Sequence, residues 1–476
     1  MSKRPNILFF MPETLRSDAV IGDPETRAKT PVMDDLAGGS VSFANCYSQS
    51  PFCTPSRCSM FTGLYPHTMG HRSLLHMLRR YERNLFQDLK EAGYTTACFG
   101  KNDLLAQESI EQSFDEVQLR VKPRDATWPK TQLPEDHKYY GAFYDGCRKG
   151  ENCHDLDAAC IESALEFLDE EHEKPFCLFL PLLFAHPPYT VEEPYFSMHD
   201  RSKVSKPIPC KLDGKRTGFK MTYNTRELDR LTEEDLLEIR ATYYGMVSRL
   251  DHQLGMVIDK LKERELYDNT ATIVFSDHGD YAGDYGYVEK WNFGFDDALL
   301  HVPLIMRVPG MEYSGTRRCM VEMVDLYPTV LELAGIEPKH YHFGRSLLPL
   351  FEENAPDSHR NAVFAEAGWA EDEKHCSTPY KKGQYPRYEK QILQSIKNPS
   401  ICSRAAMVRT EEYKYVYCPG DRDELYDLTT DPGQVNNVAE TFEMASVRTE
   451  LREKLLKWLL DTSDSVPLDH DPRNWG

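Results

Sequence analysis

The chain has 476 residues, of which 40% are hydrophobic and 28% are charged, and its formal net charge is -20 at pH 7. This balance is typical of a soluble globular protein, and the length is sufficient for a large core and more than one domain. The negative charge excludes nucleic acid as a partner of the bulk surface, because binding of its phosphates requires a positive face. An anionic substrate would need a local basic pocket within an acidic surface.

The first predicted element is a strand, Ile7–Met11, which is apolar and ends before Pro12. The run is too short for the core of a signal peptide followed by a cleavage site. No stretch has the length of a membrane span, and we expect no membrane partner. The thirteen cysteines show no paired spacing and no CxxC zinc signature, which is typical of buried thiols in a reducing compartment. We therefore expect a cytoplasmic protein.

Strand patterns alternate with helical patterns over about the first 350 residues, which indicates an α/β sheet covered by helices on both faces. Short runs of apolar, β-branched and aromatic residues predict four strands: Ile7–Met11, Thr95–Phe99, Phe176–Phe184 and Thr272–Ser276. A helix is predicted to begin near Thr232, because residues 232–235 resemble a capping box. Its later part forms one apolar stripe, made of Val247, Leu250, Leu254, Val257, Ile258 and Leu261.

The pattern changes after about residue 355. Ala406–Arg409 and Tyr413–Tyr417 predict antiparallel strands joined by a turn, and Glu440–Leu460 predicts an amphipathic helix. The stretch 369–400, rich in charge, Tyr and Pro, predicts an irregular loop. We therefore predict a first, larger domain over residues 1–355 and a smaller α+β domain over residues 356–476.

Polar residues follow each of the four strands predicted in the first domain. They are Glu13, Lys101, His186 and the pair Asp277-His278. Ligands of α/β sheets bind beyond the carboxyl ends of the strands. The sequence therefore predicts that these side chains meet at one edge of the sheet and form the active site.

One segment resembles a known maturation signature. Cys53-Thr54-Pro55-Ser56-Arg57, followed by Thr62-Gly63, is similar to the Cys-x-Pro-Ser-Arg signature of the type I, formylglycine-dependent sulfatases of the alkaline phosphatase-like superfamily. Further similarity covers nearly the whole chain, at residues 4–8, 276–279, 302–305, 324–329, 424–428 and 431–433. The resemblance implies a large, mostly parallel mixed sheet sandwiched by helices, with a smaller C-terminal α+β domain that contains an antiparallel sheet. It also implies a sulfuric ester hydrolase.

The resemblance implies that Cys53 is the precursor of the nucleophile. In this family a formylglycine-generating (sulfatase-maturating) enzyme oxidises the cysteine to 3-oxoalanine (formylglycine), which then hydrates. One hydroxyl of the hydrate attacks sulfur and expels the alcohol. The second hydroxyl then loses its proton, and sulfate leaves as the carbonyl reforms, whereas a serine would remain a stable sulfate ester. The structural alternative is a buried, inert cysteine.

The resemblance also implies one divalent metal, held by Glu13, Cys53, Asp277 and His278. The family generally carries calcium, which prefers hard oxygen ligands. The chain departs from the family here, because Glu13-Thr14 replaces the usual acidic pair and His278 stands where many relatives have Asn. Fewer carboxylates together with an imidazole make manganese the alternative.

Four further residues match catalytic positions of the family. Arg57 is expected to hold the nucleophile and neutralise its charge. Lys101 and Lys290 are expected to clamp sulfate oxygens, and His186 is expected to act as general acid near the leaving oxygen. Each of these residues, taken alone, is also compatible with a structural role.

Four residues are candidates for contacts to the rest of the substrate. Asp103 stands where the family usually has a histidine, and its carboxylate suits a cationic or hydroxyl-rich leaving group unless it points away. His67 and His71 could contact substrate, with helix-turn packing as an equal alternative. Trp369 in the 369–400 stretch could stack on a sugar, together with His375, Tyr380 and Lys381.

Three functions remain open at this point. The first is hydrolysis of a sulfate ester of small-molecule or saccharide type, with a carbohydrate or aryl leaving group. The second is phosphonate monoester or phosphodiester hydrolysis, because those relatives share the formylglycine and often the Asp-His pair. The third is a non-catalytic binding protein, which the intact maturation signature disfavours.

Overall fold

The computed structural model describes residues 4–123, 133–149, 153–291, 293–311 and 313–468. These residues form an eight-stranded sheet, a four-stranded sheet and a two-stranded sheet. The last residues of the predicted second domain, 469–476, lie outside the described residues. In the described part of the chain, no helix combines the length and the apolar character that a membrane crossing requires.

The strands are numbered in chain order. They are β1 (Asn6–Pro12), β2 (Val41–Tyr47), β3 (Thr95–Cys98), β4 (Tyr144–Cys147), β5 (Phe176–Leu182), β6 (Tyr189–Val191), β7 (Thr270–Phe275), β8 (His301–Val302), β9 (Leu304–Arg307), β10 (Gly315–Glu322), β11 (Val363–Ala367), β12 (Ala405–Arg409), β13 (Tyr413–Tyr417) and β14 (Glu424–Asp427).

The α-helices are numbered in the same way. They are α1 (Pro31–Gly38), α2 (Cys53–Thr62), α3 (Pro66–Met69), α4 (Leu85–Glu91), α5 (Ile110–Ser113), α6 (Leu156–Leu168), α7 (Thr217–Thr225), α8 (Glu233–Glu263), α9 (Asp297–Leu300), α10 (Leu326–Leu333), α11 (Glu389–Lys397) and α12 (Ala445–Asp461).

The large sheet is mostly parallel and buried on both faces. Its order is β10-β2-β9-β7-β1-β5-β3, with β8 paired to β2. The pairs β1–β5, β1–β7, β3–β5 and β10–β2 are parallel, and β9 runs antiparallel to both of its neighbours. A central parallel strand must be apolar throughout, because helices cover both faces. The sequence of β1 meets this requirement.

Alternate residues of β1 pack into two separate cores. Leu8 and Phe10 belong to a core with α1, α6 and α8, whereas Ile7, Phe9 and Met11 belong to a core with α2, α4 and α10. This alternation follows from the two-residue period of a strand. The predicted fold class, a mixed α/β sheet sandwiched by helices, is confirmed.

Helix α8 is the longest helix that the structure describes, and it begins where the sequence predicts. The Thr232 hydroxyl accepts from the Asp235 amide, and the Asp235 carboxylate accepts from the Thr232 amide, which is the reciprocal capping box. Every residue of the predicted apolar stripe is buried, from Val247 to Leu261. The helix therefore lies with this stripe on one face of the large sheet.

The C-terminal sheet has the antiparallel order β11-β12-β13-β14. One face, which includes Met407 and Val416, packs against Tyr47 of the large sheet. The opposite face packs against α12 through Leu451, Leu455 and Trp458. The smaller antiparallel sheet is thus present as expected, whereas the boundary between residues 355 and 356 stays a prediction.

Several predicted elements differ from the structure. Strand β3 ends at Cys98 rather than Phe99, and β7 ends at Phe275 rather than Ser276. Strand β5 ends at Leu182 rather than Phe184, because the next two amides donate to the carboxylate of Asp157 at 2.7 and 2.9 Å. The helix predicted from Glu440 begins at Ala445. The 369–400 stretch is not irregular throughout, since it contains α11. The buried face of this helix is short, and the surrounding sequence is rich in Tyr, Pro and charged residues, so the apolar pattern is weak.

Candidate active site

The cysteine of the signature segment is the first residue of α2. Phe52 before it is extended, and α2 ends at Gly63, whose φ of 69° is left-handed. A Cβ at Gly63 would lie 2.9 Å from Cβ of His342, so glycine is required both for its conformation and for its size. The free amides at the start of α2 favour negative charge beside Cys53.

The Cys53 thiol is buried between a carboxylate and an imidazole. Its Sγ lies 2.8 Å from Oε1 of Glu13 and 3.2 Å from Nε2 of His278. Burial, followed by the nearby Glu13 carboxylate, raises the pKa of the Cys53 thiol well above its ordinary value. The encoded side chain is therefore a neutral thiol and a weak nucleophile.

Four ligand-type side chains converge at this position. Single donor atoms of Glu13, Cys53, Asp277 and His278 lie within 4.8 Å of one another, and all four residues are buried. His278 donates from Nδ1 to the Gly279 carbonyl oxygen at 2.9 Å, which leaves Nε2 as the unprotonated nitrogen for a ligand. The arrangement can hold one metal ion.

The chemistry of these donors fits a divalent cation. Two carboxylates and a neutral imidazole are a mixed, mainly hard set of ligands. Two buried polar atoms beside them, Nη2 of Arg57 and Oγ1 of Thr14, make no hydrogen bond among the described residues. Thr14 itself has a left-handed φ of 59°. These two atoms can therefore form hydrogen bonds to a further polar group that binds in the cluster.

Three cationic side chains lie around the cluster, those of Lys101, Arg57 and Lys290. Lys101 contacts both carboxylate oxygens of Glu13, at 2.7 and 2.8 Å. Arg57 donates from Nε to Oδ2 of Asp277 at 2.9 Å and from Nη1 to the Lys101 carbonyl oxygen at 2.8 Å. Burial alone would raise the pKa of Glu13, but Lys101 and the neighbouring cations hold it well below its ordinary value. The Glu13 side chain is therefore an ionised carboxylate at neutral pH.

His186 and Lys290 form a buried, hydrogen-bonded pair. Lys290 Nζ donates to Nε2 of His186, and His186 Nδ1 donates to the Pro187 carbonyl oxygen at 2.7 Å. Burial and the Lys290 charge lower the pKa of His186 to about 3. The imidazole is neutral and protonated only at Nδ1, so the transferable proton is on Lys290. The general-acid role of His186 stays a prediction.

The sequence prediction missed the residues that hold Lys290. The Glu289 carboxylate lies 3.4 Å from Lys290 Nζ and accepts from Arg226 Nη2 at 2.5 Å. It also accepts from the Tyr388 hydroxyl at 2.8 Å, just before α11. Burial raises the pKa of Glu289, but Lys290 and Arg226 lower it to about 2. Only the adjacency of Glu289 to Lys290 hints at this role in the sequence.

The four substrate candidates lie in different environments. Asp103 is near the cluster, because its carboxylate lies 2.9 Å from Lys101 Nζ, and its side chain is 22% exposed. His71 is held between the His76 carbonyl oxygen at 2.7 Å and Glu82 at 3.0 Å.

The other two candidates pack into C-terminal parts of the chain. His67 contacts Glu366 at 2.6 Å and Thr462 at 2.9 Å. Trp369 is buried against Cys376, Ile401 and Cys402. The contacts described for His67, His71 and Trp369 are contacts within the protein, and their substrate role stays a prediction.

Glu366 gives a prediction about stability. Its carboxylate accepts from His67 and, at 2.7 Å, from Arg72. Burial raises the pKa of Glu366, but Arg72 and His67 lower it from 4.5 to about 2. A depressed folded-state pKa stabilises the fold above the unfolded-state pKa, and this stabilisation is lost as the pH falls from 4.5 towards 2. We expect Glu366→Gln to lower the free energy of unfolding by about 3 kcal/mol at pH 7.

Urea denaturation at pH 7 and pH 3 measures this effect. The exposed Glu371→Gln is the matched control and should change the free energy of unfolding little. An equal loss for Glu366→Gln at both pH values would contradict the assignment of the effect to the ion pairs.

The fold and the site together define a hydrolase of the alkaline phosphatase-like superfamily. Residues 5–336 match the family model described as Sulfatase. The chain belongs to the sulfatase family and is a sulfuric ester hydrolase by class.

Its relatives include both sulfatases and a phosphonate hydrolase. The choline-sulfatase of Rhizobium meliloti (strain 1021) is 25% identical, over 99% of this chain and 90% of that protein. The arylsulfatase K of Homo sapiens is 26% identical, over 93% of this chain and 80% of that protein. The crystal structure of the phosphonate monoester hydrolase of Agrobacterium radiobacter superimposes with a TM-score of 0.78 at 25% identity, covering 98% of this chain and 97% of that one.

Proposed function

We propose that this protein hydrolyses a sulfate ester to an alcohol and inorganic sulfate, with the formylglycine hydrate derived from Cys53 as nucleophile. The observation that carries the proposal is the position of Cys53 at the start of α2, with Sγ 2.8 Å from Glu13 and 3.2 Å from His278. The proposal requires a formylglycine-generating enzyme as a maturation partner, because the encoded thiol is protonated and unreactive.

The reaction then follows from the two hydroxyls of the hydrate. One hydroxyl oxygen attacks sulfur, the bond from sulfur to the alcohol oxygen breaks, and the alcohol leaves with a proton. The second hydroxyl then gives up its proton, the carbonyl reforms, and the bond between carbon and the sulfate oxygen breaks. With a divalent cation bound, Glu13, Asp277 and His278 hold it where its charge favours the deprotonated hydroxyl. We propose calcium for this site, with manganese as the alternative.

The surrounding cationic side chains neutralise the negative charge of the substrate and of the deprotonated hydrate. Arg57, Lys101 and Lys290 carry three positive charges beside two carboxylates, Glu13 and Asp277. A sulfate monoester adds one negative charge, and the deprotonated hydrate adds another. Positive charge fixed in a buried site stabilises these anions without reorganisation of solvent.

The proton for the leaving alcohol comes from the Lys290–His186 pair. Burial lowers the pKa of Lys290, but the negative charges around it, the Glu289 carboxylate among them, raise it above its ordinary value. Lys290 is therefore charged at neutral pH and can donate. His186, with its proton fixed on Nδ1, orients the ammonium and can accept from it at Nε2.

The leaving group we propose is hydroxyl-rich or cationic. Asp103 offers a partly exposed carboxylate 2.9 Å from Lys101, which can accept hydrogen bonds from a sugar or contact a cation such as the choline named for the Rhizobium relative. An aryl sulfate, as named for arylsulfatase K, remains the alternative because it needs only an apolar slot.

A second candidate function is phosphonate monoester hydrolysis. It is favoured by the similarity to the Agrobacterium enzyme over 98% of this chain. A sulfate monoester and a phosphonate monoester are both tetrahedral and singly charged, so the same cations can bind either one. The site can therefore distinguish them only by small differences in shape and bond length.

The deciding experiment uses metal-loaded protein in which Cys53 has been converted to formylglycine. It compares kcat/KM on 4-nitrophenyl sulfate and on 4-nitrophenyl phenylphosphonate. Both substrates release the same alcohol, so the comparison isolates the transferred group. We expect a preference of about tenfold or more for the sulfate. A preference for the phosphonate would overturn sulfate ester hydrolysis and leave the nucleophile proposal standing.

Metal dependence gives a further prediction. Asp277→Asn removes the ligand charge at nearly constant shape, and we expect metal affinity to fall by about 100-fold or more. Metal content after dialysis against a chelator, measured by plasma mass spectrometry, checks this result. Asp280→Asn is the matched control, since Asp280 is buried three residues later but bonds to the Tyr189 hydroxyl at 2.5 Å. Equal metal content in both variants would contradict the proposed site.

A further inference from the structure

A second group of metal-type ligands lies outside the active-site cluster. Single donor atoms of His76, His375 and Cys376 lie within 4.8 Å of one another in the described part of the chain. His76 lies in the loop after α3, whereas the other two lie in a 3-10 turn, Lys374–Cys376. Two segments separated by about 300 residues of sequence therefore bring together two imidazoles and a thiol.

The two histidines are in a state suited to metal binding. Nδ1 of His76 lies 2.8 Å from the Ser73 hydroxyl, which fixes the ring and leaves Nε2 for a ligand. The rings of His76 and His375 meet edge to face at 5.7 Å. His375 is exposed and can turn towards an ion.

The thiol completes a soft set of ligands. Cys376 is buried beside Trp369, Ile401 and Cys402. This apolar surrounding excludes water from one side of the group. An ion bound through one sulfur and two nitrogens would differ in kind from a hard cation held by carboxylates, because thiolate and imidazole select borderline and soft metals.

We propose that His76, His375 and Cys376 bind a zinc-like divalent ion, with a fourth position open to water. On binding, the Cys376 thiol loses its proton to solvent and the thiolate bonds to the metal. Ligand bonds of about 2.0–2.3 Å require the three donors to close by about 1 Å, which rotation of the exposed His375 allows.

Such an ion would fasten the 369–402 segment to the loop beside the nucleophile helix. The same loop already contacts α2, since the Thr54 hydroxyl donates to the Leu74 carbonyl oxygen at 3.4 Å and Cys58 Sγ lies 4.0 Å from the His76 carbonyl oxygen. The site would thus stabilise the surroundings of Cys53 without providing a group that reacts.

The test uses Co²⁺ alone as the probe, in the Cys53→Ser background. This background removes the thiol of the active-site cluster, so a band for charge transfer from thiolate to cobalt can arise only from another cysteine. We expect such a band within two equivalents of Co²⁺, because the three remaining active-site ligands can take up the first. We expect its loss in Cys53→Ser/Cys376→Ser and its retention in Cys53→Ser/Cys402→Ser. Cys402 is the matched control because it lies in the same apolar cluster and is not among the ligands.

A second variant tests the site without changing Cys376, so its result does not depend on whether the Cys376 variant folds. Ser73→Ala in the Cys53→Ser background keeps all three ligands and removes only the hydroxyl that holds His76. We expect about a tenfold loss of Co²⁺ affinity with the band still present at saturation. No band in Cys53→Ser, a band that persists without Cys376, or unchanged affinity in Ser73→Ala would each overturn the proposal.

Discussion

Cys53→Ser is expected to lower steady-state kcat by about 10³-fold or more. Serine can still attack sulfur from the start of α2, but the resulting sulfate ester has no second hydroxyl through which to expel sulfate. The protein should therefore release about one equivalent of alcohol and stop. Mass spectrometry of the peptide that contains residue 53 should then show one added SO₃ group.

Cys58→Ser is the matched control for this prediction. Cys58 is also a buried cysteine of α2, but its Sγ faces the backbone carbonyl oxygens of His76 and Leu104. We expect turnover to remain close to that of the unchanged protein. Sustained turnover by Cys53→Ser would contradict the role of the hydrate in releasing sulfate.

Lys290→Met is expected to lower kcat/KM by about 10²–10⁴-fold on an alkyl sulfate and by much less on 4-nitrophenyl sulfate. An alkoxide needs a proton in order to leave, whereas nitrophenolate is stable without one. The part of the loss that depends on the leaving group reports proton donation. The part common to both substrates reports the lost positive charge.

His186→Gln separates the two members of the pair. The imidazole is neutral and carries its proton on Nδ1, directed to Pro187. We therefore expect a smaller loss on the alkyl sulfate than for Lys290→Met. A larger loss for His186→Gln that depends on the leaving group, together with a uniform loss for Lys290→Met, would assign the proton to His186 instead.

The large sheet could be predicted because its signals are local. Ile7–Met11 and Thr272–Ser276 are mainly apolar over consecutive residues. The observed β1 is one residue longer at each end, and β7 starts two residues earlier and ends one residue earlier than predicted. The rule that ligands bind at the carboxyl ends of strands then placed Glu13, Lys101 and Asp277 at one edge. The structure does bring these three side chains to Cys53 and Arg57.

The support of Lys290 could not be predicted, because it depends on contacts between distant segments. Glu289 bonds to Arg226, at the end of α7, and to Tyr388, before α11. No periodicity or motif links these three positions. The same limit applies to the environment of His67, because its partner Glu366 lies 299 residues away in the sequence.

The most direct test of the account is the dependence of activity on the conversion of Cys53. Samples with different fractions of formylglycine, obtained by varying coexpression of a maturation enzyme, are assayed on 4-nitrophenyl sulfate, and the fraction is measured by peptide mass spectrometry. The account predicts that kcat per protein chain rises in proportion to the converted fraction and extrapolates to zero without conversion. Activity independent of that fraction would contradict a formylglycine-dependent sulfatase.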